Sequence, residues 1–315
     1  MTDNANVLYR EKIKDQIVAR YSSMGGYLDG TMTKGEGGAG LIKFPVIGGR
    51  VKMYKLSGAI QEVTLSSPTL QTVSVQVDDF EASATLRPQD ARKMSVSEEA
   101  ALSKEMSKAV RRKRDDMKLT ALNAFAAATS SLPDLPQTVN TIGDGSARID
   151  ILHLTNACAQ IRGAGSDEEC FWPIPYMWFK QLEMYKEFSN RDYTGDKDLP
   201  FARASAVYKK TYDGVHIMAL PDEHFTFGTG AYVEGVTNVS GWNASNYLDT
   251  FMWTRDAVGA EIEWDKENMS LTPVEIWEGT PWLCKVQLSG AALGILPEGV
   301  KRIRMKAIAD VVRPA

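Results

Sequence analysis

Cysteine, histidine and long apolar runs are scarce in this sequence of 315 residues. Its three cysteines, Cys158, Cys170 and Cys284, lie far apart and form no CxxC pair. That excludes a disulfide framework and a zinc knuckle, and points to a reducing compartment. The three histidines, His153, His216 and His224, form no HExxH or HxH pattern, so no two imidazoles are set up for one metal ion. No stretch approaches the roughly 18 consecutive apolar residues of a membrane span. The charges of Asp3, Arg10, Glu11, Lys12, Lys14 and Asp15 leave no room for the apolar core of a secretory signal, so the expectation is a soluble product made in the cytoplasm of its cell. A cationic excess is also missing: 36 Lys and Arg stand against 40 Asp and Glu. A net charge of −4 argues against a dedicated nucleic-acid binder, whose affinity comes from neutralising phosphates. There is no GxSxG elbow and no cysteine-nucleophile context, and no cofactor or metal is expected.

Glycine is abundant in one place and absent in the next. Ten of the 25 glycines lie between Gly25 and Gly58, and none follows until Gly143. The run from Lys34 to Gly40 lacks the GK[ST] ending of a phosphate loop and precedes a strand-like stretch, so it reads as a mobile loop. From Leu41 to Tyr54 the sequence is rich in β-branched and aromatic residues, with Pro45 confining it to an edge. Its expected partner is Leu70 to Leu86. There Val73, Val75 and Val77 share one face while Phe80, Ala82, Ala84 and Leu86 continue with opposite parity, which calls for a bulge or a change of packing partner near Asp78. A ribbon of this kind cannot bury its own apolar faces. Phe44, Val46, Val73 and Val75 are therefore expected to touch neighbouring elements or another subunit.

A long helix over 96–129 comes next, opened by the capping-box pattern Ser95-Val-Ser-Glu98 and free of Gly and Pro. Leu102, Met106, Val110, Met117, Ala121, Ala124, Phe125 and Ala128 draw one apolar stripe, interrupted at Lys113. The helix would be on the order of 50 Å long, a structural spine. Its basic run Arg111-Arg-Lys-Arg114 is followed directly by Asp115 and Asp116. It reads as a solvated face or a source of inter-subunit salt bridges through Arg111, Arg112 and Arg114, with packaged nucleic acid as the other reading. Asp79, Glu81, Glu11 and Asp15 are its candidate partners. Pro133 and Pro136 close the segment, and Asn140 to Ser146 form a linker. All seven tryptophans follow, from Trp172 to Trp282, as expected of a densely packed region with its own core. Helices are predicted at Ile149–Arg162 and Tyr176–Phe188. Strands are predicted at Cys170–Pro173, Val207–Lys210, Val215–Ala219, Phe251–Thr254, Ala260–Trp264 and Leu283–Leu288. His153 and His216 read as structural, and Asp222-Glu223-His224 as a solvated turn. The class is α+β with mixed strand order and no repeat.

A charged arm, a glycine-rich hairpin, an unbroken spine helix and an aromatic α+β region, in that order, resemble the major capsid proteins of tailed bacteriophages, with the Hong Kong ninety-seven coat fold. The podovirus branch is similar in detail: a segment like Lys43-Phe-Pro-Val-Ile-Gly48 opens the extended loop, and a strand like Val73 to Leu86 leads into the spine. Phe251 to Gly259 and Val286 to Ile303 are similar to late segments of that family. The resemblance implies an N-terminal arm at 1–30, an extended β-hairpin loop at 31–78 and a peripheral domain at 79–144. It further implies an axial domain at 145–280 and C-terminal strands at 281–315 that return to the two domains. It implies self-assembly into pentamers and hexamers of an icosahedral shell around double-stranded DNA, in the host cytoplasm. The partners it implies are other copies of the chain, a separate scaffolding protein, a portal protein, a decoration protein and DNA held by weak non-specific contact, with no membrane. No coiled-coil extension acts as built-in scaffold, and no Lys–Asn crosslinking pair is identified. Two rivals stay open on the residues alone: an encapsulin-like compartment of the same fold, and a soluble cytoplasmic enzyme.

Overall fold

The computed structural model describes residues 24–38, 40–48, 51, 53–55, 69–87, 98–128, 138–189, 209–225, 247–308 and 310–313. They fall into two compact units, one formed by residues 1–25, 79–113 and 264–289, the other by 26–78, 114–263 and 290–315. No helix among the described residues is long and apolar enough to cross a membrane.

The larger unit is built on a six-stranded sheet of order β5-β12-β9-β6-β8-β7, with β5 Asn140–Ile142, β6 Cys170–Pro175, β7 Lys209–Tyr212, β8 Val215–Leu220, β9 Tyr247–Thr254 and β12 Val300–Lys306. β6 runs parallel to β8, and β12 parallel to β5; the other pairs are antiparallel. All six residues of β6 are buried, so its near-continuous apolar run CFWPIP has the form of a strand covered on both faces. Three indoles sit wholly inside, and each finds an acceptor for its N–H: Trp172 donates to Thr250 Oγ1 (2.9 Å), Trp178 to the Lys306 carbonyl (3.3 Å) and Trp253 to the Thr31 carbonyl (3.1 Å). A buried indole without a partner would cost the desolvation of its N–H. The expected aromatic core is only half right, because Trp264, Trp277 and Trp282 are exposed. The helix α2 (Ile151–Gly163) buries Leu154, Ala157, Cys158 and Ile161. The single helix expected over Tyr176–Phe188 is two, α3 (Tyr176–Glu183) and α4 (Lys186–Ser189).

The glycine-rich loop expected at Lys34–Gly40 is partly a strand. β1 (Glu36–Gly38) pairs antiparallel with β2 (Leu41–Gly48), and Gly40, at φ +77°, makes the tight turn between them. β2 then pairs with β3 (Thr69–Gln76), Phe44 opposite Val73. At Val77 the chain changes partner: β4 (Asp78–Leu86) joins a different three-stranded sheet, β10-β11-β4, with β10 Val258–Pro273 and β11 Trp282–Gly294. The parity switch at Asp78 marks that exchange of partner. The spine α1 covers Glu98–Ala127, about 45 Å at 1.5 Å per residue. Its first half belongs to the smaller unit and its second half to the larger. The capping box at Ser95 lies outside the described residues.

The root of the β2–β3 ribbon is held by a small core of Ile42, Phe44, Ala291 and Ile295, with Val46, Val75 and Val77 packed against it. Gly259 makes this possible: a Cβ there would overlap the Phe44 ring. Gly259→Ala is expected to destabilise the subunit by about 1–3 kcal/mol through overpacking, and Phe44→Ala by about 3–5 kcal/mol through the cavity it leaves. In urea denaturation the double variant should be clearly less destabilised than the sum of the two, because removing the ring makes room for the new methyl.

Candidate assembly interface

Two ribbons and one helix seam carry the side chains that composition left unexplained. On the first ribbon the root is buried, but Ile47 (66% exposed), Val51, Met53, Tyr54 and Leu70 face outward. On the second, the β10–β11 hairpin, Trp264, Leu271, Ile276 (94% exposed), Trp277 and Trp282 do the same. Its turn is closed by Val274 N–H donating to the Pro281 carbonyl (2.9 Å) and Thr280 N–H to that of Trp277 (3.0 Å), with Gly279 at φ +81°. Exposure of large apolar side chains on this scale marks interaction surfaces.

The seam runs along α1. Its buried line passes through Met106, Val110, Asp115, Leu119 and Leu122, so the apolar stripe is interrupted by a carboxylate rather than by Lys113. Asp115 accepts the N–H groups of Tyr27 (2.9 Å) and Leu28 (3.0 Å), which ties that segment to the spine. Burial pushes its carboxyl above the usual aspartate range, against the lowering effect of those two N–H groups and of Lys118 and His224 nearby. One residue on, Asp116 meets His224 Nδ1 at 3.2 Å, and Asp29 takes Lys118 (2.6 Å) and Arg114 (3.8 Å).

The basic run is engaged inside its own chain. Arg112 pairs with Glu105 at 3.1 Å, Lys113 lies 4.2 Å from the centre of the Phe80 ring, and the backbone at Arg111 and Arg112 closes on Gly25, where φ is +68° and a Cβ has no room. The partners suggested from sequence are corrected. Asp79 binds Ser289, and Glu81 takes Lys285 (3.1 Å) and Gln287 (3.0 Å), contacts that hold its carboxyl below the usual range. Glu11 and Asp15 lie outside the described residues. Phe44 is corrected too: at 2% exposure it is a contact within the subunit, not one between subunits. Val46 and Val75 are half-buried on the same small core, Val73 is half-buried opposite Phe44, and the outward apolar residues lie nearer the ribbon's far end.

The histidines are structural parts. His153 Nδ1 accepts the Asp150 N–H (3.2 Å) at the start of α2, and His216 stacks on Phe171 and meets Glu169 at 3.1 Å. His224 is the correction: the expected solvated turn is a 3₁₀ turn with Asp222 and Glu223 half-buried and His224 buried, 1% exposed. Its partner Asp116 lies 108 residues away, a separation no local pattern reveals. An open cleft of about 270 Å³ beside the end of α2 is lined by Asp167, Glu168, Asp256 and Glu298 among others. Burial first, then Asp256, raises the Glu168 carboxyl. Among the described residues no group of three or more His, Cys, Asp or Glu is placed to hold a metal ion.

A family model described as phage capsid protein matches residues 5–307. The chain belongs to the phage capsid protein family. It is a major capsid protein that forms the phage shell. No curated protein matches it. Among solved structures it is similar to the capsid of the cyanophage P-SCSP1u, at 17% identity over 96% of this chain and 94% of that one, TM-score 0.62. Cyanophage Pam1 (10%, 98% and 100%, TM-score 0.62) and Ralstonia phage GP4 (9%, 98% and 98%, TM-score 0.61) share the fold. These likenesses bear out the tailed-phage coat fold.

In this capsid protein the buried Asp115 is a test of the seam. Its folded form keeps the proton to higher pH than the unfolded chain does, so the folded state binds more protons in that window. Stability from this group is therefore full below the ordinary aspartate value of about 3.9 and falls as pH rises through the raised folded value. Asp115→Asn should lack that fall. It should also cost about 1–3 kcal/mol near neutral pH, since an amide can accept only one of the two N–H groups well. Urea midpoints of both forms between pH 4 and 7 check both statements.

Proposed function

We infer that this capsid protein assembles as pentamers and hexamers into an icosahedral shell that encloses the double-stranded DNA of a tailed phage. The observation that carries the reading is the β2–β3 ribbon, rooted on its own subunit through Phe44 yet presenting Ile47, Val51, Met53, Tyr54 and Leu70 outward. Such a surface is an aggregation hazard on a free subunit and an interface once a neighbour covers it. Closed symmetry turns modest contacts of this kind into a stable particle, because each subunit is held by several others at once. Val46, Val73 and Val75 contribute what their own core leaves uncovered, and Arg111 and Arg112 remain candidates at the helix surface.

The division of labour follows the same reading. Residues 1–30 serve as the N-terminal arm, 31–78 as the extended loop, 79–144 as the peripheral domain with its spine, 145–280 as the axial domain around the five- and six-fold axes, and 281–315 as returning strands. Assembly takes place in the host cytoplasm on a separate scaffolding protein, with a portal at one vertex and decoration proteins outside. The shell has no catalytic function. Contact with DNA is weak and non-specific: the chain carries a net −4 charge, and Arg112 and Arg114 of the one basic run already face Glu105 and Asp29.

The full chain, expressed with and without its scaffolding protein, is examined by velocity sedimentation and negative-stain microscopy. Hollow particles or capsomer rings are expected, at least with the scaffold. A soluble monomer under both conditions would overturn the reading, and particles filled with a cellular enzyme would favour the compartment.

A further inference from the structure

The first ribbon is fastened to the turn between β9 and β10 before its own strands begin, at Thr33. The Thr33 N–H donates to the carbonyls of Arg255 (3.2 Å) and Val258 (3.0 Å), and the Ala260 N–H donates to the Thr33 carbonyl (3.0 Å). The Thr33 hydroxyl lies 3.0 Å from the Arg255 carbonyl oxygen and 3.2 Å from Asp256 Oδ1. The grip on the ribbon root is therefore on the 3₁₀ turn Arg255–Ala257 and the start of β10. Glu168, in the loop after α2, holds that turn from the other side, where its Oε2 accepts the Asp256 N–H at 3.2 Å. The same contact brings two carboxyl groups together beside the cleft that Asp167 and Glu298 also line. Arg255 is the cation that favours their ionised form, and its guanidinium lies over the Phe171 ring at 5.8 Å from the centre. Arg162, at the end of α2, is turned to Asp213 (3.5 Å). From the ribbon side the group that meets Asp256 is the Thr33 hydroxyl, with the exposed Lys34 next in the chain.

We propose that this turn is a proton-operated fastening for the root of the ribbon: a proton shared between Glu168 and Asp256 lets the turn close on Thr33, and loss of that proton loosens it. The device belongs to the single subunit and does not require the shell. With the proton in place one carboxyl donates to the other, and the Asp256 N–H and the Thr33 hydroxyl keep their acceptors. Without it two anions face each other beside Asp167 and Glu298, and the turn that carries Thr33 shifts to separate them. Burial and the Asp256 carboxyl hold Glu168 above its usual range, so the folded form keeps the proton to higher pH than the unfolded chain. The grip is full below the ordinary glutamate value of about 4.3 and weakens as pH rises through the raised folded value.

Hydrogen exchange of the full-length subunit, followed by mass spectrometry between about pH 4 and pH 7 with exposure times scaled for intrinsic exchange, reads the fastening directly. Protection of the Thr33 and Ala260 amides is expected to fall about tenfold over that range, as a shift of one pKa unit requires. Glu168→Gln presents a neutral amide that can still accept the Asp256 N–H and donate to the Asp256 carboxylate, so it should keep the acid level of protection throughout. Asp256→Asn removes the other charge and should flatten the profile as well. Glu169→Gln, next in the chain but facing His216 at 3.1 Å, should keep the wild-type slope. All three positions are exposed, and circular dichroism reports whether each variant is folded. The effect of Asp115 is common to every form and cancels in the comparison. A wild type without pH dependence at Thr33 overturns the proposal, as does a folded Glu168→Gln or Asp256→Asn variant that keeps the wild-type slope. So does a flat profile in Glu169→Gln, which would make the loss of any nearby charge sufficient.

Discussion

A two-stranded ribbon cannot bury its own apolar side chains, and much of this subunit is arranged around that limit. Near its root the β2–β3 ribbon solves the problem locally. Ile42 and Phe44 sink into a core made with Ala291 and Ile295, and Gly259 leaves the space that the Phe44 ring occupies. Among the described residues nothing covers Ile47, Val51, Met53 and Leu70, which are left in water. The β10–β11 hairpin repeats the pattern, with Ile276 and Trp277 at its turn. On the assembly proposed above, these are surfaces for a neighbouring subunit to cover.

The spine helix meets the opposite difficulty. Its inward face carries polar groups, and three of them take specific partners: two backbone N–H groups for Asp115, an imidazole for Asp116 and a carboxylate for Lys118. A half-satisfied buried network would be worse than an apolar seam, so the pairing also specifies register. It fixes where Tyr27, Leu28 and Asp29 sit on the helix. The same network explains why the basic run does little as a nucleic-acid patch: Arg112 and Arg114 already have carboxylates beside them.

Local pattern was sufficient for much of the fold. The uninterrupted stretch after Ser95 reads as a helix and is one over Glu98–Ala127, and the parity switch at Asp78, which calls for a bulge or an exchange of packing partner, is the exchange, from β2 to β11. Both are legible because period and parity are written in neighbouring residues. The resemblance to tailed-phage coats rested on the order of such elements. The interface residues were harder. Phe44 and Ile47, three positions apart on one strand, lie on opposite faces, and only the structure shows that the face of Ile42 and Phe44 is the covered one.

What the sequence by itself determined, then, is the set of elements, their order, the class and the family. Only the tertiary structure decided which apolar residues remain uncovered, that Trp264, Trp277 and Trp282 lie outside the aromatic core, and that His224 is buried against Asp116. The physical reason is the range of the forces involved. Helix and strand periods come from backbone geometry over a few residues, whereas burial and ion pairing depend on what a distant part of the chain brings alongside, and nothing near His224 in sequence announces a partner 108 residues away.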